Sequence, residues 1–142
     1  MPHIILIGSV TLSSLTNFLE EYLHEDHESR IRHCILMMPQ RPDPATELLM
    51  MKPQYINALF YIEGSTLDNM ALSRAKLEKS AAVIILSNKF TYDAENEDTK
   101  TILEAMIIKK YVNSERKKNL DYENRMKKTS TWMTYFSNIQ VE

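Results

Sequence analysis

Apolar residues are concentrated in four short runs separated by longer mixed segments. The runs span 4–7, 31–38, 59–62 and 83–86, and isoleucine, leucine, methionine and valine dominate them. Short runs of this kind, bounded by polar residues, are typical of buried strands. Their alternation with helical patterns predicts four βα units in a parallel sheet of order 3-2-1-4, with helices on both faces. Residues 1–112 are therefore predicted to form a Rossmann-like α/β domain.

Helical spacing is clearest after the first run, where Leu15, Leu19 and Tyr22 fall on one face. Three further helices are predicted to start near Pro44, near Asp68 or Asn69, and within residues 93–98. That last segment superficially matches a calcium-binding loop, but Asp98 stands where such a loop requires glycine. We expect its acids to cap a helix instead, because carboxylates satisfy free backbone amides and complement the positive helix end.

The character of the chain changes after Val112. Residues 114–128 carry six lysines and arginines against three acids, and apolar periodicity is weak there. Residues 113–142 are predicted to be a charged, basic C-terminal tail, either helical or disordered.

Composition excludes several classes of protein. The 142 residues are 44% hydrophobic, enough for one packed core, and the net charge of −2 gives no general attraction to nucleic acid. The single cysteine, Cys34, lies inside an apolar run, which is typical of a buried thiol in a reducing compartment. No apolar stretch is long enough to span a bilayer or to serve as a signal peptide. The chain alone is therefore expected to be soluble, without direct membrane insertion.

The first strand leads into a loop that lacks the glycines of a dinucleotide site. Gly8 is followed by Val10 and Ser13, and the second strand ends without the acid that holds a ribose. Neither a cofactor nor a catalytic residue is predicted, since the Gly-x-Ser-x-Gly pattern of a hydrolase is also absent. Polar residues do follow the strands, and two interpretations stay open for them, a small ligand cleft or ordinary turns. They are Ser9, Ser65, Ser87 and Asn88.

Residues 20–28 contain five acids and two histidines at the predicted C-terminal end of the first helix. Carboxylates there oppose the helix dipole, so a bound cation that offsets them is a reasonable hypothesis, and oxygen ligands favour calcium. A solvated helix end is the alternative interpretation. His24 and His27 could also contribute to a zinc site, but the sequence contains no second pair of ligands at suitable spacing.

Seven segments of the chain, taken together, carry a resemblance to a known family. They are 3–8, 11–19, 61–65, 71–78, 82–89, 93–98 and 107–111. These segments resemble the N-terminal lobe of the RCK (regulator of K+ conductance) domain in Slo-type, large-conductance potassium channels. The similarity covers about residues 3–112, and Thr101 to Ala105 look closer to the sodium-activated than to the calcium-activated branch.

This resemblance implies a sensor rather than an enzyme, a module of the gating ring on the cytoplasmic face of the membrane that opens a tetrameric pore. Asp26 matches a calcium-binding aspartate of the family, and His24 matches a histidine implicated in proton sensing. Glu21 and Glu28 are further candidate ligands of this incomplete site for calcium or sodium. Magnesium is not predicted, because His33 and Phe60 replace the acidic pair that senses it.

The sequence also departs from the family, since no pore precedes the first strand and a basic tail replaces the fifth strand. A fragment, a truncated product or an unusual isoform is therefore expected. It would associate with channel subunits or with itself, the latter through its fourth helix. Two alternatives stay open, a nucleotide-binding Rossmann domain of an oxidoreductase or potassium-uptake subunit, and an assembly partner without a ligand.

Overall fold

The computed structural model describes residues 2–24, 33–88 and 90–139, with the side chains of the last helix described as far as residue 129. Strands and helices alternate along it, with one 3₁₀ turn before the last strand. The elements are β1 His3–Gly8, α1 Leu12–Tyr22, β2 His33–Met38, α2 Pro44–Met50, β3 Leu59–Glu63, α3 Asn69–Arg74, the 3₁₀ turn Leu77–Lys79, β4 Ala82–Leu86 and α4 Ala94–Ile139.

The four strands form one parallel sheet in the order β3-β2-β1-β4, as predicted. β1 lies in the interior of the sheet, with His3 paired to His33 of β2 and Ile4 paired to Ala82 of β4. The chain order changes direction at β1, so a crevice opens between β1 and β4 above their carboxyl ends. Ligands of open α/β sheets bind at such a crevice.

Helices cover both faces of the sheet. Successive side chains of β1 point to opposite faces, so this strand contributes to the core on each side. Ile4 and Leu6 pack with Leu15 and Leu19 of α1, on the side that α2 also covers. Ile5 and Ile7 pack on the other side against α3 and α4, where Ile108 of α4 is buried. The prediction of helices on both faces is confirmed.

Side-chain caps fix the beginnings of three helices. The Thr11 hydroxyl accepts from the Ser14 N–H at 3.2 Å, and the Ser14 hydroxyl accepts from the Thr11 N–H at 2.9 Å. Asp68 accepts from the Met70 N–H at the start of α3. At α4, Asp93 accepts from the Asn96 N–H at 3.0 Å, so the prediction that residues 93–98 cap a helix is confirmed.

α4 is one uninterrupted helix of 46 residues, which corresponds to a length of about 69 Å. It crosses the predicted boundary between residues 112 and 113 without a break. The tail is expected to be either helical or disordered, and its described part, as far as residue 139, is helical. The division into a Rossmann-like lobe, residues 1–112, and a charged tail, residues 113–142, stays a prediction. Despite its length α4 is polar, and no helix within the described residues is apolar enough to cross a membrane.

Candidate functional site

The crevice between β1 and β4 depends on a close backbone approach at Gly8. Gly8 has a φ of +103°, in the region that favours glycine, and the Ser9 N–H donates to the Leu86 carbonyl at 2.8 Å. A Cβ added to Gly8 would lie 2.3 Å from that carbonyl oxygen. The absence of a side chain at Gly8 therefore lets β1 and β4 approach closely. In a dinucleotide site, a glycine at this place lets the backbone approach the pyrophosphate.

A carboxylate of this chain already occupies the crevice. Glu97, in the first turn of α4, accepts from the Ser9 hydroxyl at 2.6 Å and from the Asn88 backbone N–H at 2.9 Å. Both hydrogen bonds end on the same oxygen, Oε1. They favour the charged form and hold the pKa of Glu97 below its ordinary value, with the Ser9 hydroxyl as the larger cause.

This arrangement works against an anionic ligand in the crevice. A phosphate at the end of β1 would need hydroxyl and amide donors, but those of Ser9 and Asn88 point at Glu97. The carboxylate would also repel it. The structure thus brings together two of the four predicted cleft residues, Ser9 and Asn88, through a third residue that the sequence analysis assigned only to a helix cap.

Ser65 lies elsewhere, beyond β3, in an open cleft of about 470 Å³ that also includes Gly64, Asp68 and Arg74. Its hydroxyl accepts from the Leu67 N–H at 3.3 Å, and this local hydrogen bond is typical of a turn former. Arg74 donates to the Glu63 carbonyl at 2.8 Å across the cleft. The interpretation of Ser65 as a turn residue therefore fits better than a ligand role at the crevice.

Two further kinds of site concern the thiol of Cys34, a potential nucleophile, and side chains that could bind a metal ion. Cys34 is fully buried, and burial raises its pKa to about 12, so its thiol stays protonated near neutral pH. Residues 2–24, 33–88 and 90–139 contain no group of three or more His, Cys, Asp or Glu side chains arranged to hold a metal ion.

The described part of the acidic segment, Glu21 and His24, lies at the other edge of the sheet. Glu21 is in the last turn of α1 and His24 follows it, and both side chains are exposed. α1 runs back from the carboxyl edge, so its end lies near the start of β2, away from the crevice at Glu97. Asp26 and Glu28 fall outside the described residues, and the proposed cation site therefore stays a prediction.

His33 and Phe60, the two positions that the resemblance aligns with magnesium-sensing acids, lie side by side. The rings of His33 and Phe60 stack across β2 and β3, with centroids 6.0 Å apart and planes inclined by 21°. An imidazole and a phenyl ring supply no carboxylate oxygens, which are the ligands that magnesium prefers.

Fold and crevice together define a class, a Rossmann-like α/β domain whose nucleotide crevice is closed by its own glutamate. A family model described as the calcium-activated potassium channel slowpoke-like RCK domain matches residues 1–140. The chain belongs to this Slo-like RCK family. The match includes the basic segment that the sequence analysis placed outside the resemblance.

Two relatives extend this assignment. The chain is similar to the calcium-activated potassium channel slowpoke of Drosophila melanogaster, with 28% identity over 109 residues, which are 77% of the chain and 9% of the relative. The human SLO3 gating ring shares the fold, with a TM-score of 0.61, 22% identity, and coverage of 78% of this chain and 18% of the other. The chain thus spans less than a fifth of either relative.

Proposed function

We propose that this chain is a non-catalytic regulatory module of a Slo-type potassium channel, acting as a gating-ring lobe on the cytoplasmic side of the membrane. The observation that carries the proposal is the family match over residues 1–140, on a sheet of the same fold as a gating ring. A module of this kind acts by binding channel subunits and by changing its contacts with them when a ligand binds.

The crevice at Glu97 supports a role without a nucleotide. An oxidoreductase or a nucleotide-gated subunit needs donors free to hold phosphate at the end of β1, and here Ser9 and Asn88 donate to Glu97. No specific observation favours the nucleotide alternative. A response to NAD or ATP is therefore an outcome that would contradict the proposal.

Cation sensing belongs to the proposal through the segment that follows α1. Glu21 and His24 lie at the C-terminal end of this helix, where the dipole is negative and a cation is favoured. Asp26 and Glu28 extend the same acidic segment in the sequence. We assign the calcium or sodium response to Asp26 with Glu21 and Glu28, and the proton response to His24.

Association is tested by co-expressing the tagged full chain with the slowpoke subunit of Drosophila melanogaster and purifying by the tag. Co-purification of the channel subunit at constant ratio is expected, and its absence at all salt concentrations would contradict the channel role. An unrelated tagged Rossmann domain of similar size and charge controls for nonspecific capture.

Ion sensing is tested separately, by isothermal titration of the full chain with calcium, sodium and NAD. Calcium or sodium heat that disappears in Asp26→Ala but persists in Glu20→Ala would support the assigned site, since Glu20 is an adjacent exposed acid outside the candidate set. Heat with NAD alone would favour the nucleotide alternative. Silence toward all three, with co-purification intact, would leave an assembly role without ion sensing.

A further inference from the structure

β3 is an edge strand of the sheet, and the direction of its backbone groups can be assigned. The Ala58 carbonyl, just before β3, accepts from β2 at 2.7 Å, and the Gly64 N–H, just after it, donates to β2 at 2.8 Å. Alternate residues of a strand direct their backbone groups to the same side, so residues 60 and 62 also bond β2. The backbone groups of Leu59, Tyr61 and Glu63 therefore point outward, away from the sheet.

The two ends of this edge are satisfied and its centre is open. The Leu59 N–H donates to the Tyr55 carbonyl at 2.8 Å, and the Glu63 carbonyl accepts from Arg74 at 2.8 Å. Among residues 2–24, 33–88 and 90–139, the Tyr61 N–H and C=O have no hydrogen-bond partner, and neither do the Leu59 C=O and the Glu63 N–H. A row of open backbone donors and acceptors is a template for another strand.

An apolar groove of about 560 Å³ lies beside the open edge, on the side of the sheet that α2 covers. Met50, Met51, Ile56 and Tyr61 line it, and Met51 and Ile56 are exposed to 65% and 53%. Alternate side chains of a strand point to the same face. The side chains of an added strand that lie opposite Leu59 and Tyr61 would therefore enter this groove.

Glu63 leaves one end of the groove negatively charged. Arg41, the cation of the groove, is paired with Glu47 at 2.7 Å. The Glu63 side chain is exposed and belongs to no ion pair among the described residues. A lysine or arginine opposite Glu63 would be favoured. A second copy of β3 does not supply one, because antiparallel pairing about Tyr61 places Leu59 opposite Glu63.

We propose that the β3 edge binds an extended segment of a partner protein as an added antiparallel strand. The partner residue opposite Tyr61 exchanges two backbone hydrogen bonds with it, an apolar side chain opposite Leu59 fills the groove, and a cationic side chain lies opposite Glu63. Antiparallel edge strands on parallel sheets are common, and strand addition combines backbone affinity with side-chain specificity. The proposal goes beyond the channel role proposed above and does not depend on it.

Titration of the isotope-labelled full chain with an acetylated and amidated peptide, Ser-Lys-Thr-Val-Thr-Leu-Ser, tests the proposal by NMR. In antiparallel register its lysine, valine and leucine lie opposite Glu63, Tyr61 and Leu59. We expect chemical-shift changes centred on β3 and α2, and slower hydrogen exchange of the Tyr61 amide.

N-methylated peptides test the backbone hydrogen bonds. A methyl group on the valine nitrogen removes the donor to the Tyr61 carbonyl, and the dissociation constant should rise about tenfold. A methyl group on the nitrogen of the following threonine is the matched control, because that N–H points away from β3 and its loss should leave the affinity nearly unchanged.

Glu63→Lys tests the side-chain specificity, and it should weaken binding about fivefold by placing like charges opposite each other. Glu123→Lys is the control for net charge, because Glu123 is exposed on the distal part of α4. Circular dichroism checks that both variants are folded. No binding at millimolar peptide, equal weakening by the two methyl groups, or equal affinity in Glu63→Lys and Glu123→Lys would overturn the proposal. Protection of the Tyr61 amide that rises with the concentration of the chain alone would identify a second copy as the occupant and would overturn it as well.

Discussion

Neutralising Glu97 should destabilise the junction of α4 with the sheet. In Glu97→Gln the side chain keeps an oxygen that can accept from Ser9 and Asn88, but it loses the negative charge. Hydrogen bonds to a charged group contribute about 1.5–3 kcal/mol each and neutral ones about 0.5–1.5 kcal/mol. Glu97 is half-buried, so solvent screening keeps each bond at the lower end of its range. Glu97→Gln weakens both hydrogen bonds from about 1.5 to about 0.5 kcal/mol each, so we expect the free energy of unfolding to fall by about 2 kcal/mol, and by about 3 kcal/mol in Glu97→Ala, which removes both bonds.

The pH dependence of this loss distinguishes the charge from the shape of the side chain. The pKa of Glu97 is lower in the folded chain than in the unfolded chain, where it is about 4.3. Its charge therefore stabilises the fold above that pH, and this contribution disappears as the pH falls through the folded pKa. The difference between the wild-type chain and Glu97→Gln should be full at pH 7 and should begin to close below about pH 4.3.

Urea unfolding at a series of pH values measures both effects, and Glu95→Gln is the matched control. Glu95 is in the same first turn of α4, so its removal has a similar effect on the helix dipole, but it lies on the side of the helix away from the crevice. Equal losses in Glu95→Gln and Glu97→Gln would show that the dipole, and not the hydrogen bonds to Ser9 and Asn88, stabilises this turn. A gap that does not narrow as the pH falls below about 4.3 would also refute the reasoning.

The remaining predictions concern the glycines and the buried thiol. Gly8→Ala should cost about 2–4 kcal/mol of unfolding free energy, since φ is positive and the new Cβ meets the backbone oxygen of Leu86; urea unfolding measures it, and a loss below 1 kcal/mol would contradict the strain. Gly64→Ala should also lower the free energy of unfolding, because its new Cβ would clash with the Cβ of Ala71. Adding Ala71→Gly to this variant should remove the clash, and the double variant should then lose only about 1 kcal/mol, from the lower helix propensity of glycine. At neutral pH, a thiol reagent should label Cys34 only as fast as the chain unfolds. The free energy of unfolding should fall above about pH 8.5, because there the thiol ionises in the unfolded chain but stays protonated in the folded chain. Rapid labelling of the native chain would show that the thiol is accessible.

The fold could be predicted because its elements are short, regular and separated by clear turns. The β1 run predicted strand residues 4–7, and the strand spans His3–Gly8. Its side chains are apolar on both faces, and this pattern fits a parallel strand covered on both sides. The end of α4 was harder to predict because the segment after Val112 lacks an apolar stripe. It contains no proline or glycine, however, so nothing local interrupts a helix that has already begun.

The candidate site was predicted only in part. The strand ends placed Ser9 and Asn88 near one another, as parallel topology requires. The carboxylate between them belongs to Glu97, which lies 88 positions after Ser9 in the first turn of α4. Acids in a first turn are also typical of a helix cap, so the sequence offers no reason to place Glu97 in the crevice. Asp93 caps the helix and Glu97, four positions later, reaches the crevice. Two acids of one motif therefore have different roles, and the local sequence does not distinguish them.

The placement of Glu97 has a consequence for how movement spreads through the chain. α4 is fixed near its start by the hydrogen bonds of Glu97 and further along by the burial of Ile108. Residue 139 lies 31 residues beyond Ile108, which is about 46 Å along a straight helix. A tilt of about 10° at Ile108 would therefore move the far end of α4 by about 8 Å. Because this pivot lies against the sheet, any change in the packing of β1 and β4 that tilts the helix would be amplified along its length.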